Sequence, residues 1–99
     1  MTQAKMPSWL KLGADGVAVT LTRPSEANGI KVDSLSLRSP TVRDIRAAQS
    51  AASGDDEQRE LNLFASLAEV GVKDLEGLAL KDYSRLQAGY FRLVQDDEL

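Results

Sequence analysis

The stretch Val17-Ala18-Val19-Thr20-Leu21-Thr22-Arg23-Pro24-Ser25-Glu26-Ala27-Asn28-Gly29-Ile30-Lys31-Val32 decides the fold. Its first six residues alternate, with Val17, Val19 and Leu21 on one side in β-branched company, and that period of two predicts a strand. Arg23-Pro24 ends it. Ser25-Glu26-Ala27-Asn28-Gly29 supplies the turn, in which Asn-Gly favours positive φ. The return strand carries Ile30, Val32, Leu35 and Leu37. The step from Val32 to Leu35 is three rather than two, and a one-residue bulge at Asp33-Ser34 would bring all four side chains to one face. The alternative is a strand that twists across two neighbours. Either way this is an antiparallel hairpin, and two strands alone are marginal in water, so it needs a cover.

Downstream sequence supplies the cover. Ser39-Pro40-Thr41-Val42-Arg43-Asp44 reads as a helix start, with Thr41 as N-cap and Asp44 in capping-box position. Val42, Ile45, Ala48 and Ala52 then form a thin apolar stripe that predicts close packing through small residues. Ser53-Gly54-Asp55-Asp56 stops this helix and starts the next, its acidic residues matching the positive end of a helix dipole. Over residues 57–70, Leu61, Leu63, Phe64, Leu67, Ala68 and Val70 cover more than half the circumference, as a central helix requires. Gly71 reads as its C′ residue. Residues 72–78 form a short turn with Leu75 and Leu78, and residues 81–95 an amphipathic helix with Tyr83, Leu86, Tyr90 and Val94. The expected class is α+β: an N-terminal antiparallel β-hairpin packed on a small bundle of three to four helices.

Ninety-nine residues fit one domain. The expected layout is a flexible N-terminal arm over residues 1–15, a single domain over 16–95 and an acidic tail over 96–99. Within the arm, Trp9, Leu10 and Leu12 either dock on the core or wait for a partner. Residues 1–12 hold no apolar run of signal-peptide length, and no membrane span is visible, so a cytoplasmic protein without membrane partners is the expectation. Asp96-Asp97-Glu98-Leu99 looks faintly like an ER-retention tail and is read as coincidence.

Composition narrows the chemistry. With 42% hydrophobic and 27% charged residues the chain is globular rather than disordered. It has no Cys and no His, which excludes disulfides, thiolate metal sites, cysteine nucleophiles and the commonest general base. Through Arg46 seven cations face four anions, and thereafter five face eleven, giving the net charge of −3. Such asymmetry suits intramolecular or head-to-tail complementarity, and more plainly solvated faces. No cofactor, metal or catalytic residue is expected. Asp55, Asp56 and Glu57 lack the spaced ligands of a calcium loop, and a helix N-terminus explains them. Asp82, Tyr83 and Arg85 on one helix read as a capping Asp, a core-edge Tyr and an exposed Arg. Residues 67–75 mimic a helix-turn-helix, yet Asp74 and Glu76 in the would-be recognition segment repel phosphate, so no nucleic-acid partner is expected.

Four landmarks in order carry a resemblance. Leu21-Thr22-Arg23-Pro24 precedes a short hairpin with Gly29 in its turn. Leu35-Ser36-Leu37-Arg38-Ser39-Pro40-Thr41-Val42-Arg43-Asp44-Ile45 follows. After two helices come Val72-Lys73-Asp74-Leu75-Glu76-Gly77-Leu78 and Leu80-Lys81-Asp82-Tyr83-Ser84-Arg85-Leu86-Gln87. Residues 21–94 thereby resemble the tail assembly chaperones of contractile-tailed phages, of the Mu-like and tail-protein-E type. The resemblance assigns the structural motif to Leu35, Leu37, Arg38, Pro40, Thr41, Asp44, Asp82 and Tyr83. The arm departs from it, since the usual short members lack one.

The resemblance implies a non-enzymatic phage or prophage protein that binds the tape measure protein and keeps it soluble during tail tube assembly. It implies a place in the bacterial host cytoplasm rather than the mature virion. It also admits the tail tube protein as partner of a frameshifted longer form. The alternative is a small acidic helix-turn-helix-like DNA-binding or transcription-associated domain. A tape measure gene just downstream separates the two.

Two site expectations follow from the residues. Arg38, at the hairpin's end, is expected to be partly buried and structural, meeting Asp44 and the Asp82-Tyr83 region. Tyr90, Phe91, Leu93 and Val94 are the expected partner surface: at 100° per residue Phe91 and Leu93 diverge by about 160°, so one faces away from whatever the other packs on. The competing reading covers both with the hairpin or the Trp9 arm, and self-association through this helix is a third outcome.

Overall fold

A computed structural model describes residues 7–95. Three antiparallel strands, β1 (Leu10–Leu12), β2 (Gly16–Ala27) and β3 (Ile30–Arg38), lie side by side in that order. Four helices follow: α1 (Val42–Ala52), α2 (Asp56–Ala68), α3 (Val72–Glu76) and α4 (Leu80–Val94). This is the expected α+β class with one strand more than the hairpin. The expected arm over residues 1–15 is revised at Leu10–Leu12, which pair with β2. Buried Leu10 faces the core, and the Thr20 N–H donates to the Trp9 carbonyl at 2.8 Å. Residues 1–6 of that arm and the expected acidic tail, 96–99, lie outside the described residues.

The hairpin turns at Asn28 and Gly29, both with positive φ (55° and 79°), as a two-residue loop between twisted strands requires. Its irregularity lies partly elsewhere than expected. Thr20 faces Ser34 and Ser25 faces Val32, so four residues of β2, 21–24, stand opposite Asp33 alone. The extra length sits on β2, at Arg23-Pro24, because proline lacks the N–H a ladder needs. Val32, Leu35 and Leu37 reach the core side, but Ile30, at the hairpin tip, is 65% exposed.

Phe64 of α2 is buried at the centre, with the rings of Tyr83 and Tyr90 tilted against it at 5.8 and 5.2 Å. Fully buried Leu37, Leu67, Leu86 and Val19 join sheet and helices around it. Gly89 lets α4 approach β2. A Cβ there would lie 3.0 Å from Val19 Cγ2 and 3.2 Å from Leu10 Cδ1.

The helix termini follow the sequence closely. Thr41 caps α1 in a reciprocal box with Asp44, and Asp55 accepts from the N–H groups of Glu57 and Gln58. Two details differ. Val42 is 75% exposed rather than part of the α1 stripe, because N1 points away from α2. Gly71 does not end α2. Glu69 takes the left-handed position (φ 58°), and Gly71, at φ −82°, caps α3.

Candidate protein-binding surface

Every segment that carried the resemblance is engaged in holding the scaffold together. Asp82 is 1% exposed and accepts from Thr22 twice, from its N–H at 2.7 Å and its hydroxyl at 3.0 Å. Arg85, one turn on, donates to the Thr20 carbonyl at 2.8 Å and stacks 4.7 Å from the Trp9 ring centroid. Both bond the side of β2 that faces β1, just past the point where β1 stops, so α4 supplies partners that the ladder does not. Asp82 is therefore no cap for its own helix, and Arg85 is half-buried rather than exposed.

The hairpin tip is held in the same way. Asp74 accepts from the N–H groups of both Gly71 (3.0 Å) and Asn28 (3.2 Å), and the Asn28 side chain donates to the Glu69 carbonyl. Asp74 thus serves the corner between α2 and α3.

Arg38 meets Asp44 in a two-pronged ion pair, at 2.8 and 3.0 Å, while Asp44 also accepts from the Thr41 N–H. Arg38's guanidinium and the Thr41 N–H hold the Asp44 carboxyl well below the usual carboxylate range. The other expected partners are absent: Asp82 and Tyr83 turn to Thr22 and Glu60 instead. With Arg38 43% exposed, the pair sits at the surface, not in a buried tie between hairpin and bundle.

Tyr83 donates to Glu60 at 2.7 Å, and Gln87 donates to the same oxygen at 2.9 Å, clasping α4 to α2. Burial, then the Glu60 carboxylate, pushes the Tyr83 hydroxyl above its ordinary range. Glu57, Glu60, Leu61, Glu76, Leu80 and Tyr83 border a shallow groove of about 380 Å³.

The four expected partner residues divide into two pairs. Tyr90 rests against Phe64, and Leu93 packs on the core. Phe91 and Val94, on the flank of α4 turned toward solvent, are 66% and 48% exposed. The divergence of Phe91 from Leu93 is met, and neither the hairpin nor the Trp9 region covers Phe91. Among the described residues no group of three or more acidic side chains is placed to hold a metal, and no helix is long and apolar enough to cross a membrane.

No curated protein and no solved structure matches the chain. Residues 18–95 match the family described as phage tail assembly chaperone proteins, E, or 41 or 14. That span runs from the middle of the sheet to the end of α4 and takes in the side-chain hydrogen bonds of Asp82, Arg85, Asp74, Arg38 and Tyr83, and the chain belongs to this phage tail assembly chaperone family.

Proposed function

We propose that this protein binds a tape measure protein and keeps it soluble until the tail tube forms around it, by protein–protein contact without catalysis. The observation that carries the reading, beside family membership, is the exposure of Phe91 and Val94 one turn apart on α4. Large apolar groups exposed in adjacent turns mark interaction sites, and aromatic residues dominate binding energies. The acidic surplus after Arg46 serves the same work, since net charge opposes aggregation of the complex. The host cytoplasm is where such a partner needs protection. A tail tube partner would enter only through a frameshifted longer product.

Co-expression with the tape measure protein of the same genome tests the function. The expected result is tape measure protein in the soluble fraction, co-purifying with this chain. Tape measure protein equally insoluble with and without it contradicts the reading.

A further inference from the structure

The strand order β1-β2-β3 leaves the outer edge of the nine-residue β3 without a neighbour among the described residues. The hydrogen bonds around the sheet fix which backbone groups that edge presents. Ser39 N–H donates to the Asp15 carbonyl, one step beyond the Gly16–Arg38 pair, so residues 15 and 39 form a hydrogen-bonded pair. In an antiparallel ladder such pairs alternate. Leu35 and Leu37 therefore point their N–H and C=O groups at β2, and Ser34, Ser36 and Arg38 point theirs outward. The phase agrees on the far side of β2, where Thr20 N–H donates to Trp9 of the N-terminal strand.

Edge strands of monomers are usually guarded by charge, bulges or proline. The first half of β3 has Lys31 and Asp33 and faces the bulge of β2. The second half has none of these except Arg38, whose side chain is drawn away to Asp44. A broad depression of about 710 Å³ spreads from the sheet, where Lys11, Ala18 and Ser36 line it, to the end of α2, so no other element fills the space beside this half of β3. Free N–H and C=O groups in strand geometry call for another strand.

We propose that the occupant is β3 of a second copy, paired antiparallel about a two-fold axis at Ser36. That register sets Ser36 opposite Ser36 and Ser34 opposite Arg38, so every outward-pointing group from Ser34 to Arg38 gains a partner. Two exposed aliphatic side chains lie toward the ends of the strand: Ile30, its first residue, is 65% exposed, and Val42, in the first turn of α1 beyond its end, is 75% exposed. The two-fold brings the Ile30 end of one copy to the Val42 end of the other, twice. The surface on Phe91 and Val94 belongs to α4 and stays open, so the dimer and the chaperone reading stand or fall separately.

Sedimentation of the intact chain over a wide concentration range tests this, with Ser36→Pro as the diagnostic variant. Proline there removes an outward N–H and no bond to β2. The parent is expected to reach twice the monomer mass, and Ser36→Pro to raise the dimer dissociation constant about tenfold or more with unchanged circular dichroism. A parent that stays monomeric throughout overturns the proposal, as does a folded Ser36→Pro protein that dimerises like the parent. Should Ser36→Pro fail to fold, the absence of native cysteine provides a second test. A short bis-maleimide is expected to link Ser36→Cys chains in pairs and to leave Ser50→Cys chains, labelled on the exposed side of α1, single. Equal linking of both, or of neither, overturns it.

Discussion

Asp82 on the last helix takes the place of a neighbouring strand for Thr22. The Thr22 N–H lies two residues past Thr20, the last residue of β2 to bond the N-terminal strand, and an acceptor arrives from sixty residues away at 2.7 Å. A carboxylate buried to this degree is stable only when its oxygens are bonded, and each oxygen of Asp82 accepts one hydrogen bond from Thr22. Its place in the first turn of α4 adds the positive end of the helix dipole.

Replacing Asp82 by Ala is accordingly expected to destabilise the fold by about 2–3 kcal/mol, the scale of a charge-assisted hydrogen bond plus an orphaned N–H. Asp82→Asn, which keeps an oxygen for the N–H, should lose less. Urea unfolding of the three proteins measures the order, and an Ala variant as stable as its parent contradicts the role assigned to Asp82.

Most of the fold was legible because periodicity and capping are local. Val17, Val19 and Leu21 alternate, and Thr41 with Asp44 spells out its own helix start. What escaped was non-local. Nothing in Leu10-Lys11-Leu12 says that three residues will find β2, since so short a strand has no period of its own. Asp82 read as a cap because its acceptor role depends on where the distant N-terminal strand stops alongside β2. The candidate surface was half legible. Helical geometry separated Phe91 from Leu93, but only packing against Phe64 assigned Tyr90 to the core.

Acid should weaken the fold partly through Asp44. Its folded-state pKa lies below the unfolded value of about 4, so its contribution is complete above that value and is lost as the pH falls toward the folded pKa. Asp44→Asn is expected to be less stable than the parent at neutral pH, with the gap closing as the pH is lowered from about 4. A gap that stays constant to the acid limit would show that the Arg38 pair contributes nothing.

Alkali should act through Tyr83, with the opposite sign. Its folded pKa is raised, so the contribution is complete below the unfolded value of about 10 and is lost as the pH rises beyond it. Ultraviolet titration should show Tyr83 ionising above the ordinary tyrosine range, and Tyr83→Phe should remove that component. At neutral pH the variant should lose about 1 kcal/mol with the Glu60 hydrogen bond. Ionisation of Tyr83 in the ordinary range contradicts the clasp.

Glu69 pays for the turn after α2 with a left-handed backbone, φ 58°. Glycine adopts that conformation without a Cβ clash, and the contact from Asn28 uses only the Glu69 carbonyl. Glu69→Gly is therefore expected to raise stability by up to about 1 kcal/mol, read from the denaturant midpoint. A clear loss of stability would mean that the Glu69 side chain does more than tolerate the turn.

The most direct test of the central claim is an amide-shift titration of the labelled protein with fragments of the tape measure protein. The account predicts the largest shifts at Phe91, Val94 and their neighbours on the open side of α4, and their loss in Phe91→Asp with the fold intact. Shifts confined to the hairpin, with residues 90–94 unmoved, would contradict it.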